Sequence, residues 1–289
     1  MATSRQIQFG TLALWHFGPF PARHAPCVRP IVNYGVQISS SGLLGAMYRQ
    51  DVFSNNLANM DTAGFKPDIP AMKQRLVARQ EDNILGAPSD AMLERLGAGV
   101  LAMPTRVNLA QGSAKITGNP LDVAIEGEGF FQVQGGPRDS GRTALLTRDG
   151  RFTRDSEGRL VQATSGAAVL DHSGRSITLP PGEISISSNG RVYVDKREVG
   201  RIGVFSVKNE QAITKRGGTI LEAPASLVAN AAESAGLVKQ GQIEESGVDE
   251  IRALMQVQSA SREVDSNIAV IQAADRMMER AINTFGRLA

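Results

Sequence analysis

The sequence lacks the features that mark membrane-spanning and nucleic-acid-binding proteins. No stretch approaches the roughly 18 to 20 consecutive apolar residues that a helix needs to cross a bilayer. The 31 basic and 29 acidic residues leave a net charge of +2, and the basic residues are not clustered, which argues against a nucleic-acid or membrane surface. With 289 residues, 42% hydrophobic but only 5% aromatic, the chain is long enough for one large or two modest domains.

Residues that could support catalysis are also scarce. His172 is the one histidine after residue 31, and it falls in a predicted turn, so no Ser-His-Asp or Cys-His arrangement is supported. Asp122, Glu126 and Glu128 would share one face of an extended segment and could chelate a divalent ion or serve a hydrolase, but no histidine or cysteine accompanies them. The Gly-x-Gly step in the same segment does not complete a dinucleotide-binding fingerprint. We therefore expect no enzyme activity, no metal and no cofactor.

Residues 1–31 differ from the rest of the chain. They contain the only cysteine, Cys27, the only tryptophan, and four prolines that would interrupt a helix. A secretory signal needs a basic start and an unbroken apolar core, whereas this segment has one early Arg and a core interrupted by His16, Gly18 and Pro19. We expect a non-native or disordered extension here, with a signal peptide as the alternative.

A helix is predicted over residues 34 to 59, and it ends before Gly64 and Phe65. Three asparagines near its end, Asn55, Asn56 and Asn59, are poor helix formers, so their presence lowers the local helix propensity. We infer that these amides pair with other groups. The apolar positions recur along one seven-residue stripe, which contains Val36, Leu43, Met47 and Leu57.

The middle of the chain changes from a connecting pattern to a β pattern. Residues 67–104 contain several prolines, and they are predicted to form a connecting region with short helices around 72–80 and 91–96. Residues 105–240 contain short alternating runs between turns, which predicts a β domain. Four turns share a Gly-Arg step, and their glycines are expected to supply the positive φ angles of tight hairpins: Gly150, Gly158, Gly174 and Gly190.

The last segment, residues 241–289, is predicted to be mainly a long amphipathic helix, with Ser246 as its candidate N-cap. Its apolar positions alternate steps of three and four, which is the spacing of a coiled-coil seam, although a core helix of a compact domain has the same spacing. The polar positions Ser261 and Asp275 would be costly in a dry seam, so we expect them to set register or to meet amides of the first helix. The predicted seam contains Leu254, Val257, Ser261, Val264, Ile268, Ile271, Asp275, Met278, Ile282 and Phe285.

Three parts of the chain resemble the flagellar axial proteins, the rod and hook subunits. Residues 55–59, Asn-Asn-Leu-Ala-Asn, followed by 62–66, Thr-Ala-Gly-Phe-Lys, are similar to the N-terminal signature of these proteins. Residues 117–131 and 146–152 resemble two further family segments, with Leu146 in place of the usual aromatic. Residues 241–249 resemble the family's Gly-x-Leu-Glu-x-Ser-Asn-Val-Asp, with Ser-Gly in place of Ser-Asn.

The resemblance implies an α+β fold, in which N- and C-terminal helices pair as a coiled-coil-like α domain and a central all-β domain of hairpins lies between them. The implied division is an N-terminal helix over 32–66, a connecting region over 67–104, a β domain over 105–240 and a C-terminal helix over 241–289. Residues 33–37 are similar to the usual opening of rod proteins, so we expect translation to begin at Val32 through an alternative start codon. A genuine organism-specific extension is the alternative.

The resemblance also implies a place and a set of partners. The protein would be exported unfolded by the flagellar type III apparatus and would assemble, with copies of itself and other rod proteins, into the rod of the bacterial flagellar basal body that crosses the periplasm. It would insert into no membrane and bind no nucleic acid. A chain that starts at Val32 would have no cysteine, which suits assembly outside the cytoplasm, where a free thiol could form unwanted cross-links.

Two long amphipathic helices expose more apolar surface than one partner covers, so we expect the excess to contact other subunits. A heterologous contact that does not close generates a helical tube. The predicted assembly residues are Leu43, Met47, Asn55, Asn56, Leu57, Asn59, Gly64, Phe65, Leu254, Val257, Val264, Ile268, Ile271, Met278, Ile282 and Phe285.

The type of rod protein is predicted from the C-terminal helix. Residues 258–263 read Gln-Ser-Ala-Ser-Arg-Glu, which is closer to the proximal-rod pattern than to the Gln-Arg-Ala-Tyr-Glu run of the distal rod. We expect a proximal rod protein of the F type, with the distal G type or a hook-related protein as alternatives. A secreted β-domain binding module is the alternative from another class. It would have ordered terminal helices as a monomer, whereas a rod subunit would order them largely on assembly.

Overall fold

The computed structural model describes residues 34–77, 80, 97–136, 142–230 and 236–285. The predicted extension over 1–31, the proposed start at Val32 and the helix predicted at 91–96 lie outside the described residues. Within the described ranges, no helix is long and apolar enough to cross a membrane.

Two long α-helices flank a mostly β central region in the described part of the chain, so the fold is α+β. Helix α1 covers Tyr34–Ala58, and helix α2 covers Glu250–Phe285. The strands in chain order are β1 Asp68–Gln74, β2 Val100–Val107, β3 Ala114–Ile116, β4 Val123–Gly127, β5 Phe130–Val133, β6 Thr143–Thr147, β7 Phe152–Arg154, β8 Leu160–Gln162, β9 Ile184–Ile186, β10 Arg191–Val194, β11 Arg197–Arg201, β12 Val204–Val207, β13 Thr214–Gly217, β14 Ile220–Pro224, β15 Val228–Asn230, β16 Gly236–Gln240 and β17 Gln242–Glu244.

Strands β1 and β2 form an antiparallel pair that packs against α1. Gly45 of α1 lies against the side chains of Met72 and Val100, and the absence of a Cβ lets the strands approach the helix closely. The Tyr48 hydroxyl donates a hydrogen bond of 2.7 Å to the carbonyl of Met103. This pair of strands therefore extends from the β region along the side of the helix.

The helix predicted around 72–80 is wrong for its first part, because residues 72–74 belong to β1. The ladder from β1 runs to a partner strand about 30 residues later in the chain, with Met72 opposite Ala102. Pairing with a strand that is distant in sequence overrides a weak local preference for helix. Residues 72–80 alone contain no signal that predicts this pairing. Pro70, which has no backbone N–H to donate to the ladder, lies at the register shift of this pairing between Ile69 and Ala71.

The central region is built from antiparallel strands. Its largest sheet has six strands in the order β13-β14-β6-β5-β12-β15, and β11-β10-β9 form a three-stranded sheet. Strands β16 and β4, β17 and β3, and β7 and β8 form three further pairs. The β-rich centre predicted from short alternating runs is confirmed.

Two clusters of buried apolar side chains form the core of this region, and β5 joins them. Phe131 belongs to the larger cluster, where its ring meets Phe152 edge to face with centroids 5.1 Å apart. Phe130 belongs to the second cluster, together with Leu146 and Phe205. Because successive residues of a strand point to opposite faces, this Phe-Phe pair contributes one ring to each cluster.

Three of the four Gly-Arg turns have the expected glycine backbone. Gly158, Gly174 and Gly190 have φ angles of 80°, 79° and 82°. Gly150 is the exception, because it is not among the glycines with positive φ, and a Cβ there would overlap the carbonyl oxygen of Val123. Glycine is needed at that turn for a close backbone approach, so the positive φ predicted for it was wrong.

The start of α2 also differs from the prediction. The Asp249 carboxylate accepts the Arg252 backbone N–H at 2.9 Å, which is the N-cap interaction of this helix. The Ser246 hydroxyl accepts from the Val248 backbone N–H at 3.3 Å instead. Ser246 lies too early to cap a helix that begins at Glu250, so its predicted role was wrong.

Candidate functional site

Three segments that are distant in sequence meet at a buried cluster of charged side chains, Lys66, Arg148 and Glu244. Lys66 follows the loop after α1, Arg148 follows β6, and Glu244 is the last residue of β17. Their side chains are only 1%, 4% and 2% exposed. We call these three side chains, with the backbone of residues 64–66 and 244–247, the joint, because it connects both helices to the β region.

Glu244 binds both cations of the joint. One of its carboxylate oxygens accepts hydrogen bonds from the Lys66 ammonium and, at 2.9 Å, from the Gly112 backbone N–H. The other oxygen accepts from Arg148 Nη1 at 3.0 Å. Lys66 Nζ also donates to the carbonyl of Ala110 at 2.8 Å. These charge-assisted bonds compensate for removing the three charges from water.

The remaining contacts of Arg148 are with the backbone and an aromatic ring. Its Nη2 donates to the carbonyl of Gly127 at 2.8 Å, and its guanidinium carbon lies 5.1 Å from the centroid of the Phe130 ring. The planar guanidinium can therefore bind a carboxylate, a carbonyl and an aromatic face at once. Arg148 is thus anchored in the β region, and it presents Nη1 to Glu244.

Backbone hydrogen bonds join the segment after α1 to the segment before α2. The Gly64 N–H donates to the Glu244 carbonyl at 2.8 Å, and the Gly247 N–H donates to the Phe65 carbonyl at 3.0 Å. Gly64 has a φ of 65°, and a side chain there would overlap the peptide that links Arg148 to the next residue. Glycine is required at this position for both its conformation and its size.

Lys215 of β13 also binds the segment that follows α1. Its ammonium donates to the Lys66 carbonyl at 2.6 Å and to the Asp68 carboxylate at 2.7 Å. It also lies 3.9 Å from the centroid of the Phe65 ring, which is buried. Phe65 and the backbone of residue 66 are therefore held by the β region before β1 begins.

Burial shifts the pKa values of these cations. Desolvation lowers the pKa of Lys66 and of Arg148, and the adjacent Glu244 carboxylate opposes that shift in both cases. Desolvation likewise lowers the pKa of Lys215, against the opposing effect of Asp68. The direction is the same for all three, so the surroundings penalise positive charge, and the carboxylates offset part of that penalty.

The three asparagines expected to pair with other groups have different surroundings. Asn56 is buried, and its side-chain amide donates to the Asp68 carbonyl at 2.8 Å while its oxygen accepts the Asp68 N–H at 2.9 Å. The Asn59 amide donates to the Asn55 carbonyl within the end of α1, at 2.9 Å. Asn55 itself is exposed. Asn56 thus ties the end of α1 to the start of β1.

The two helices contact each other in antiparallel directions. Arg49 of α1 forms an ion pair with Glu263 of α2, and Gly42, about two turns earlier in α1, lies against Asn267, about one turn later in α2. Because Gly42 has no side chain, the helices can approach closely at that point. The contact therefore includes polar and small residues, and the structure does not establish a coiled-coil seam.

The predicted seam of α2 is offset from its most buried positions. Ala253 and Ala260 are buried, whereas Leu254 and Ile268 are 50% and 38% exposed and Ile282 is 70% exposed. The remaining seam residues vary: Val257, Val264 and Ile271 are half-buried, Met278 is exposed, and the Phe285 side chain lies outside the described residues. Several large apolar side chains therefore lie beside the helix contact and face solvent.

The predicted residues of α1 show a similar mixture. Leu43 and Leu57 are half-buried and Met47 is exposed, while the small Ala46 and the buried Val52 lie between them. In both helices alanines are buried, namely Ala46, Ala253 and Ala260, whereas the larger apolar residues predicted there are half-buried or exposed within the described ranges.

The charged residues of the joint are not among the predicted site residues, although the family-like segments contain them. Three of the family-like segments contain one of them each: Lys66 in 62–66, Arg148 in 146–152 and Glu244 in 241–249. The last two segments contain further charged residues, so the sequence alone did not indicate which charges meet. Lys215 and Asp68 lie outside those segments.

The acidic residues that were candidates for metal binding or hydrolysis make separate contacts. Asp122 accepts a hydrogen bond from the Asn119 amide at 3.0 Å, and Glu126 forms an exposed ion pair with Lys239 at 3.3 Å. Over the described ranges, no group of three or more His, Cys, Asp or Glu residues could hold a metal ion. Asp122 and Glu126 therefore make ordinary structural contacts.

Two family models match this chain. The flagella basal body rod protein model matches residues 37–66, and the flagellar hook protein FlgE/F/G D1 domain model matches residues 124–194. The first match ends at Lys66, and the second contains Arg148. Two components of the joint therefore lie in segments that define these families.

Comparison with individual proteins gives matches over most of the chain. The flagellar basal-body rod protein FlgF of Caulobacter vibrioides is 30% identical over 244 residues, which is 82% of this chain and 92% of that protein. FlgG of the same organism is 30% identical over 261 residues, 84% of this chain and 96% of that protein. FlgG of Bacillus subtilis is 28% identical with the same coverage. On these matches and on the segments that form the joint, this chain belongs to the flagellar basal-body rod protein family.

Proposed function

We propose that this chain is a structural axial subunit of the bacterial flagellar rod, located in the basal body, and that it assembles through its terminal helices. The names of its relatives support the location and the structural role. The observation that carries the assembly mechanism is the set of large apolar side chains that remain exposed around α2.

The helices differ in length, and the difference leaves apolar surface open. Helix α1 has 25 residues and α2 has 36, so they are about 38 Å and about 54 Å long. Part of α2 therefore extends past α1. Eight large apolar side chains of α2 are more than one-third exposed: Ile251, Leu254, Met255, Ile268, Val270, Met277, Met278 and Ile282.

Other subunits would cover this surface. A contact between one face of a subunit and a different face of the next does not close on itself, and its repetition builds a helical tube. In this proposal the helices pair as a coiled-coil-like unit inside the tube, with copies of the chain and other rod proteins as neighbours. The β region makes lateral contacts outside the tube, and the joint transmits torque between the two layers.

Delivery to the rod is by the flagellar type III export apparatus, which passes the chain in an unfolded form. We assign the chain to the proximal rod, F type, because residues 258–263 lack the tyrosine of the distal-rod run. The distal rod, G type, is the alternative. FlgF and FlgG of Caulobacter vibrioides are equally identical to this chain, at 30%, so the assignment depends on that helix segment.

A lysine at one of the exposed apolar positions of α2 tests the assembly mechanism. In cells that carry Ile268→Lys, a charge replaces an apolar side chain that another subunit should bury, and we expect loss of swimming and of completed rods. Thermal unfolding of the purified variant should show an intact β region. Ser266→Lys is the matched control, since Ser266 is an exposed neutral residue of the same helix, and its cells should swim. Normal swimming with Ile268→Lys would contradict assembly through this apolar surface.

A further inference from the structure

We propose that the joint is a positioning device, which holds the end of α1 beside the start of α2 before the chain enters the rod. It thereby sets the register of the helix pair and the direction in which that pair leaves the β region. This inference rests on the proposed function, because a repeating tube with an outer layer needs one fixed relation between the helices and the β region.

The position of the joint between the two helices supports this inference. The Gly64 and Gly247 backbone bonds form a short ladder between the segment that leaves α1 and the segment that enters α2. Helix α1 ends at Ala58, six residues before Gly64, and helix α2 begins at Glu250, three residues after Gly247, so short segments link both helices to the ladder. Closing the ladder therefore places the two helix ends next to each other.

Chain entropy gives the size of the effect. Strand β17 is already tied to the β region by its pairing with β3, in which Glu244 lies opposite Ala114. Strands β1 and β2 also pair, with Asp68 opposite Val107. Without the joint, about 23 residues would therefore separate the end of α1 from the start of α2 through the two pairings, and closure reduces the loop to about 12 residues. Because the closure probability falls roughly as the 3/2 power of loop length, the joint favours helix pairing about two- to threefold.

The charged residues of the joint are better suited to fixing the orientation of the helices than to increasing the stability of the fold. A buried group of ions is commonly no more stable than apolar side chains of similar size, but it restricts the geometry, since each charge must meet its partner. Each oxygen of Glu244 binds a different cation, Lys66 from the helix side and Arg148 from the β region. A shifted register would leave at least one buried charge without its partner.

Lys66→Met tests the inference, because it removes the helix-side cation and keeps the Glu244–Arg148 pair. The matched control is Lys115→Met, which removes the lysine of an exposed pair with Glu245, 3.7 Å apart, across the same two strands. Both changes are made in the full chain, in which Cys27→Ser removes the one native cysteine. Spin labels are attached at Asp61 and Glu250, which are both exposed and lie on either side of the joint. They report the distance between the segment after α1 and the start of α2.

We expect one narrow distance in the parent chain and in Lys115→Met, and a broad distribution in Lys66→Met. Amide exchange at Gly64 and Gly247 should be about tenfold faster or more in Lys66→Met, since a charge-assisted bond is lost nearby. A narrow distribution with unchanged exchange in Lys66→Met would overturn the inference, and so would a broad distribution in the parent chain.

Two further measurements separate this inference from loss of folding and from the proposed function. In the unchanged chain, the Gly64 and Gly247 amides should exchange as slowly as those of β6. If they exchange as fast as the amides at the C-terminal end of α2, the inference is overturned. This measurement does not depend on whether Lys66→Met folds. In cells, absence of the parent chain from purified basal bodies would refute the proposed function alone. A Lys66→Met chain that assembles normally with a narrow distance would refute the joint alone.

Discussion

Replacing Glu244 with glutamine should strongly destabilise the β region, although the two side chains have almost the same shape. The change removes the one carboxylate that faces both Lys66 and Arg148, whose side chains are 1% and 4% exposed. Two cations would then remain buried without the carboxylate that binds both of them. The desolvation that already lowers the pKa of both groups would lose the charge that opposes it.

The expected size follows from the burial of all three groups. Removing one partner of a buried ion pair costs about 3 to 5 kcal/mol, because the other charge stays in a poorly solvating environment. A glutamine oxygen can still accept the Gly112 N–H that Glu244 binds at 2.9 Å. We therefore expect a loss at the lower end, about 3 kcal/mol in the free energy of unfolding.

Urea unfolding of the purified chain, followed by far-ultraviolet circular dichroism, measures this difference if the slope of the transition is unchanged. Glu245→Gln is the matched control, because Glu245 is the next residue and forms an exposed pair with Lys115. An exposed pair contributes about 0 to 1 kcal/mol, so the control should stay within that range.

A second comparison isolates the charge. Lys66→Met and Arg148→Met, combined with Glu244→Gln, remove both unpaired cations, and this triple variant should recover part of the stability that Glu244→Gln loses. If Glu244→Gln unfolds within about 1 kcal/mol of the parent chain, or if the triple variant is less stable than the single one, the electrostatic account of the joint is refuted.

Three further outcomes can be measured by the same unfolding experiment. Asn56→Ala removes two hydrogen bonds to the Asp68 backbone, and it should cost about 2 to 3 kcal/mol; a loss below about 0.5 kcal/mol would show that these bonds do not stabilise the fold. Gly150→Ala places a Cβ against the Val123 carbonyl, and we expect a loss of about 3 kcal/mol or more, whereas an unchanged midpoint would contradict the close approach. Partial burial raises the pKa of Asp171, but hydrogen bonds from its own turn outweigh burial and lower that pKa overall. Its contribution to stability is therefore present above the ordinary aspartate pKa of about 4 and is lost as the pH falls through the lower pKa of the folded state. Asp171→Asn should flatten this acid dependence, and an unchanged pH profile would refute the assignment.

Local sequence patterns predicted the features that depend on neighbouring residues. A helix was predicted over residues 34–59, and α1 ends at Ala58. Gly158, Gly174 and Gly190 have the positive φ angles expected of their turns. These features follow from backbone preferences within a few residues, which a single sequence contains.

Features that depend on distant partners were not predicted. The Lys66–Glu244 and Arg148–Glu244 contacts join residues 178 and 96 positions apart, and neither separation leaves a local pattern. Residues 72–74 were assigned to a helix because their strand partner lies beyond residue 99. The family-like segments indicated which parts of the chain matter, but not that their charged residues meet.

Periodicity predicted the spacing of apolar residues on α2 but not the face that meets α1. Leu254 and Ile268 fit the heptad spacing and yet are 50% and 38% exposed, while Ala253 and Ala260 are buried. The phase of a helix contact depends on the partner surface, and α1 presents Gly42 where the helices are close. A pattern of large apolar residues does not show where small residues such as glycine and alanine allow two helices to approach closely.

Protein mass spectrometry of purified hook-basal bodies tests the central claim most directly. The account predicts that this chain is present in intact basal bodies at the abundance of a rod subunit, and that it is lost from basal bodies of cells that carry Ile268→Lys. Its absence from intact basal bodies of swimming cells would contradict the claim that it is a structural part of the rod, and would favour a separate secreted binding module.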